Sequence, residues 1–175
     1  LCRAERQIFV ISLSRRATRG RVRLGPFDMP AALGRSGRSA RKREGDGATP
    51  IGRWRLLAVH YRPDRVARPV TGLPVSRITR AVGWCDAAGD RNYNRQVRLP
   101  YPESHERLWR EDHLYDLVVV LDHNQWPRIR GNGSAIFLHC CRPGLAPTEG
   151  CIALPRTLLQ RLLRHLRRGD RLIVG

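Results

Sequence analysis

The sequence predicts a mainly β sandwich with one or two helices packed against it. Strand-like runs outnumber helical ones and follow one another at short spacing. No alternation of strand and helix of the kind that builds a parallel α/β sheet is visible. One stretch alone, near the C-terminus, carries a long and clear helical period. A chain of 175 residues with 41% apolar content is enough for one core, so a single domain spanning residues 1–175 is expected.

Taken in order, Gln7 to Leu13 is a β-branched and aromatic run. Gly20 to Leu24 alternates arginine with apolar residues until Gly25-Pro26 breaks it, and the two read as a strand pair. Leu33 to Gly52 is rich in Gly, Ser and charge, a loop long enough to serve function. Its end, Thr49-Pro50-Ile51-Gly52, reads as a tight turn launching the strand Trp54 to Tyr61. Arg62 to Pro102 reads mostly as loop, with short apolar pieces such as Ala81 to Trp84. Pro102 to Asp112, carrying Glu103, Glu106, Leu108 and Trp109, is expected to be a short helix, with the strand Tyr115 to Leu121 after it. Ser134 to His139 is an apolar strand ending on a histidine. In the segment Pro155 to Arg168, Leu158, Leu159, Leu162, Leu163 and Leu166 share one face, and Gly169 stops the helix before a last strand, Arg171 to Val174.

The net charge of +18 would attract polyanions of several kinds, and charge alone does not choose among them. Lys42 is the only lysine, and the arginines are spread along the chain rather than gathered in a tail. Zinc-finger spacing, an RNP-like motif and basic-region heptads are all missing from the sequence, which argues against a specific nucleic-acid partner. No run approaches the ~18 apolar residues of a membrane span. The chain begins at Leu1 rather than methionine, so the lack of a visible signal peptide is not evidence for a cytoplasmic location. The five cysteines, Cys2, Cys85, Cys140, Cys141 and Cys151, are odd in number, so at least one thiol stays unpaired unless chains are bridged.

The chemistry is concentrated in Ala135 to Leu154. There an apolar strand delivers His139, and a Gly/Pro-containing loop returns the chain to Gly150-Cys151, twelve positions further on. An imidazole beside a thiol favours the reactive thiolate, and glycine lets the backbone approach a substrate closely. The N–H groups of Gly150 and Cys151 are then candidates for an oxyanion hole. Two other readings stay open on the residues alone. One is an inert buried cysteine beside a core histidine. The other is a metal site from His139, Cys140, Cys141 and Cys151, disfavoured because vicinal residues at a strand end point to opposite faces and C-x-x-C spacing is missing.

The strand-borne His139 followed by Thr148-Glu149-Gly150-Cys151 resembles the signature of the L,D-transpeptidase (YkuD) family. Lys42 to Gly52, Gly83 to Asn94 and Gly133 to His139 also resemble family segments, in the family's order, so the likeness covers nearly the whole chain. The resemblance implies the L,D-transpeptidase β-rich catalytic fold and a two-step acyl transfer between peptidoglycan stem peptides, donor and acceptor, with no metal and no cofactor. Cys151 would form a thioester with the donor, and His139 would take the thiol proton and later activate the acceptor amine. It further implies either a diaminopimelate–diaminopimelate or an L-alanine–diaminopimelate cross-link, inactivation by carbapenems, and a monomer in the periplasm or cell envelope. An L,D-carboxypeptidase and a non-catalytic wall-binding module are the alternatives.

Two positions depart from the family pattern. Glu149 stands where many relatives have histidine, and its carboxylate is a candidate to orient His139 or meet a substrate amine. Ala153 stands where many have arginine, so Arg142 or Arg156 is the candidate replacement in donor binding, against a plain reading of both as solvated surface residues. Thr148, Trp84, Tyr93 and Asn94 are further candidates for the substrate groove, since aromatic faces suit sugars and amides suit peptide backbones. Arg110 and Asp112 are read as pairing with each other or with a zwitterionic diaminopimelate centre, and His105, His113 and His123 as ordinary exposed residues.

Overall fold

A computed structural model of the chain describes residues 5–175; Cys2 lies outside them. The chain opens with an antiparallel meander of β1 (Gln7–Ile11), β2 (Arg19–Leu24) and β3 (Phe27–Ala32). The Gly25-Pro26 break is the two-residue turn of the β2–β3 hairpin, with Gly25 at φ 54° and Leu24 opposite Phe27. β3 carries Pro30, which hid it as a strand in the sequence. The proline is tolerated because the far edge of β3 pairs only at Ala32↔Ala153.

The long loop that follows holds a two-residue parallel pair, β4 (Arg38–Ser39) and β5 (Thr49–Pro50), and leads into β6 (Gly52–Tyr61). The stretch expected to be loop contains β7 (Val75–Arg77), parallel to β6, then β8 (Val82–Cys85) and β9 (Arg95–Arg98). The expected helix at Pro102 to Asp112 is instead turns around a short strand, β10 (His105–Arg107). Pairing to β8, with Glu106 opposite Trp84, satisfies that backbone, and non-local sheet bonding overrides a weak local helical pattern.

β11 (Leu117–Leu121) and β12 (Phe137–Cys140) pair antiparallel. A 3₁₀ turn at Pro143–Leu145 then returns the chain to β13 (Ile152–Leu154), parallel to β12. The one α-helix among the described residues, α1 (Arg156–Leu163), precedes the closing strand β14 (Arg171–Val174). It is shorter than its leucine pattern, because His165 and Leu166 donate to carbonyls three residues back and tighten the last turn, though Leu166 stays fully buried. No helix among the described residues is long and apolar enough to cross a membrane.

The main sheet runs β11-β12-β13-β3-β2-β1-β14-β6-β7, and β6 also pairs with β11. All its strands but β7 therefore form a closed ring, and the two layers of the expected sandwich are continuous with one another. The three-stranded sheet β10-β8-β9 lies outside the ring. Strand alternation divides β11 between two cores. Leu117, Val119 and Leu121 enter the main core with the leucines of α1, whereas Val118 and Val120 join Trp84, Leu108, Tyr115, Phe137 and Cys151 in a second cluster against the small sheet.

Candidate active site

The same alternation aims the chemistry. On β12, Leu138 and Cys140 point into the main core, and Phe137 and His139 point the other way. On β13, Ile152 and Leu154 point inward, leaving Cys151 and Ala153 on the outer side. Parallel pairing sets His139 beside Ala153, so Cys151 lies two residues back along the neighbouring strand. His139 and Cys151 thereby line one cleft of about 590 Å³, which His105, Glu106 and Arg107 of β10 also line.

The sulfur is held at two points, and the Cys151 backbone at another. Its thiol donates to the Ala135 carbonyl oxygen at 3.2 Å, and the Phe137 N–H points at Sγ from 3.4 Å. The Cys151 carbonyl oxygen accepts from the Thr148 hydroxyl at 2.6 Å, which itself accepts from Gly150 N–H at 3.2 Å. Cys151 is 8% exposed. Burial, and after it the nearby negative charge of Glu106, push its thiol up to about 12.

His139 is 4% exposed, and Nδ1 donates to the Cys140 carbonyl oxygen at 2.7 Å. The neutral ring therefore carries its free lone pair on Nε2. The ring packs edge-on against Tyr115, with centroids 5.2 Å apart. Burial depresses its pKa to about 4, opposed in part by the Cys140 carbonyl. At neutral pH the pair is a thiol and a neutral imidazole rather than an ion pair. No hydrogen bond joins the two side chains in this resting arrangement; the thiol's partner is Ala135.

Gly150, at φ 132°, is pressed against the loop Lys42–Ala48. A Cβ there would lie 2.8 Å from the Ala48 carbonyl oxygen and 3.2 Å from Lys42 Nζ. That loop is organised by Asp46, which accepts from Lys42 Nζ and from the Arg43 and Ala48 N–H groups, both at 2.8 Å.

The other sequence candidates divide into two groups. Thr148, Glu149 and Arg110 line the cleft; Asp112 stands behind it, receiving Arg110 Nε at 3.0 Å. Glu149 is bound to Arg35 at 2.7 Å rather than to His139, and its side chain is 78% exposed. Arg142 lines the cleft, whereas Arg156 is bound to Asp116 at 3.1 Å. Trp84, Tyr93 and Asn94 are buried and do not border the cleft. Tyr93 donates to Glu44, and Trp84 donates to Asn94 Oδ1 at 3.0 Å. Asn94 acts as a hub, because Oδ1 also accepts from Ala135 N–H at 3.1 Å while Nδ2 donates to the carbonyls of His123 and Asn124. His123, expected to be exposed, is buried edge-on to Trp54.

Sequence reasoning missed Tyr115 and Glu106 as cleft residues. The Tyr115 hydroxyl donates to Glu106 Oε1 at 2.6 Å. Their pairing depends on a strand in a stretch whose local pattern suggested a helix. Cys85, Cys140, Cys141 and Cys151 are all free thiols, and Cys140 is buried in the main core.

A mainly β domain with a thiol and an imidazole facing one cleft defines the architecture, and the family model described as the L,D-transpeptidase catalytic domain matches residues 6–174. The chain belongs to the YkuD family. Among solved structures, L,D-transpeptidase 1 of Mycobacterium tuberculosis is similar at a TM-score of 0.40 and 15% identity, over 97% of this chain. The match covers 62% of that protein's chain, so this chain spans less than two thirds of it. None of the curated proteins matches.

Proposed function

We propose that the chain is a single catalytic domain that cross-links peptidoglycan stem peptides as an L,D-transpeptidase, with Cys151 as nucleophile and His139 as base. The observation that carries this reading is the convergence of Cys151 and His139 on one cleft from adjacent parallel strands, in a chain of this family. Rotation of the thiol away from the Ala135 carbonyl aims Sγ–H at Nε2. His139 takes the proton as Sγ attacks the carbonyl carbon of an L-configured centre in the donor stem, then returns it to the departing amine. The thioester left on Cys151 is attacked by the acceptor amine, His139 accepts the amine's proton, and the thiol is restored.

The surroundings support these steps. The Phe137 N–H, 3.4 Å from Sγ, steadies the thiolate as it forms. Because Gly150 N–H is engaged by the Thr148 hydroxyl, Cys151 N–H is the backbone donor assigned to the oxyanion. Arg142, on the cleft, is the better replacement for the arginine that Ala153 lacks, since Arg156 is tied to Asp116. Asn94 is a positioning residue, holding Ala135 and through it the resting thiol. Peptidoglycan as substrate puts the work in the periplasm or cell envelope.

Incubation with disaccharide-tetrapeptide tests the reading. Cross-linked dimers are expected, Cys151→Ala abolishes them, and fragmentation of the dimer identifies which linkage is made. Trimmed monomers without dimers would assign an L,D-carboxypeptidase instead. Sacculus binding with no thioester would assign a wall-binding module.

A further inference from the structure

Glu106 has no part in the acyl transfer just described, yet it lines the same cleft as the nucleophile. Its Oε1 is occupied by the Tyr115 hydroxyl at 2.6 Å and by Arg110 Nη1 at 3.4 Å. Its Oε2 makes no hydrogen bond among the described residues. Arg110 is shared, because its guanidinium also binds Asp112 through Nε at 3.0 Å and Nη2 at 2.5 Å, and Asp112 in turn lies 3.9 Å from Arg142. Burial raises the Glu106 pKa, opposed by the Tyr115 hydroxyl and Arg110, and a compact hydrogen-bonding cation arriving at its unpaired oxygen favours the ionised form further.

We propose that Glu106 is the binding site for a primary ammonium group of the substrate, and that filling it arms the Cys151 nucleophile. This rests on the transpeptidase reading for the identity of the substrate, a wall peptide carrying a free amine, but its electrostatics do not. After burial, which acts most strongly, the negative charge of Glu106 opposes the loss of the Cys151 thiol proton, against Lys42, which favours it. An ammonium seated on Oε2 cancels that opposition and adds its own attraction for the thiolate. That lowers the cost of moving the proton from Sγ to Nε2 of His139 as the sulfur attacks, and no other reactant is needed. The empty enzyme keeps its thiol protonated and slow to react, and a substrate lacking the amine leaves it so. Asp86, Arg107, Arg110 and Tyr115 also line the cleft and set the field into which the ammonium enters.

Alkylation of Cys151 by neutral iodoacetamide, read by peptide mass mapping at pH 8, tests the switch without transpeptidation. In wild-type protein, methylammonium chloride accelerates alkylation in a saturable way by about tenfold, the change in thiolate fraction that one pKa unit brings. Tetramethylammonium chloride at equal ionic strength, unable to donate a hydrogen bond, does not. Glu106→Gln keeps the Tyr115 bond, alkylates faster without any amine, and ignores methylammonium. In thioester formation, wild type prefers a tetrapeptide donor with its side-chain amine free over the N-acetylated donor by at least about tenfold, and Glu106→Gln loses the preference. Equal alkylation of the two proteins, or methylammonium acceleration that survives Glu106→Gln, would overturn the proposal. Failure of either donor to acylate either protein would count against the transpeptidase reading, and the alkylation rates would still decide the role of Glu106.

Discussion

His139 Nδ1 donates to the carbonyl oxygen of Cys140 at 2.7 Å, a bond from a side chain to the very next residue along the strand. It fixes the tautomer, and so leaves Nε2 as the nitrogen able to receive a proton in the cleft. The donor is spent on a backbone group that the strand end supplies, so no carboxylate partner is needed to orient the ring. Glu149 is accordingly free to pair with Arg35.

The depressed pKa of His139 predicts an unusual acid limb. The imidazole stays basic down to about pH 4, so kcat/KM for thioester formation falls off near pH 4 rather than near the 6.5 of an ordinary histidine. In the unliganded enzyme the thiol is pushed up to about 12, and its alkylation rate climbs steadily from pH 7 to 10 without a plateau. A stopped-time alkylation series across this range checks both the slope and the missing plateau.

Stability falls with acid over a defined window. His139 and His123 are buried neutral, each with its pKa depressed by burial from 6.5 to about 4. The unfolded chain binds more protons than the folded one between those values. Stability is therefore full above about pH 6.5 and is lost as pH drops toward 4, by on the order of 3 kcal/mol for each histidine. Aspartates with lowered pKa values, such as Asp112, weaken the fold only below their ordinary 3.8. Urea unfolding at pH 7, 5.5 and 4.5 shows the loss, and His123→Gln makes the dependence shallower.

Thr148 ties the nucleophile loop with two bonds, one accepted from Gly150 N–H and one donated to the Cys151 carbonyl. Thr148→Ala costs about 1–3 kcal/mol and reduces the rate of thioester formation, and Thr148→Ser restores most of both. Thermal melts alongside acylation rates separate the two effects.

Gly150→Ala meets both an unfavourable φ of 132° and a Cβ 2.8 Å from the Ala48 carbonyl oxygen. The cost is about 1–3 kcal/mol, and it falls on the residue that precedes the nucleophile. Acylation is expected to drop by more than the melting temperature alone would suggest.

Much of this was legible from the chain because its signals are local. The strand delivering His139, the Gly-Cys pair and the leucine face of the last helix each announce themselves within a few residues. The β10 side of the cleft did not. Glu106 and Tyr115 meet because β10 pairs with β8, a bond between distant segments that no local pattern records. Asn94 and Trp84 have the chemistry of groove residues, but that chemistry is spent inward, on each other and on Ala135. His123 looked exposed in a polar turn and was buried by Trp54, a neighbour from another strand.

Intact-protein mass spectrometry after mixing with a tetrapeptide donor reads directly which sulfur carries the acyl group. A single acyl adduct is expected that maps to Cys151, is missing in Cys151→Ala and is formed far more slowly in His139→Ala. Undiminished cross-linking by Cys151→Ala, or an adduct that maps to Cys85, Cys140 or Cys141 instead, would contradict Cys151 as the nucleophile.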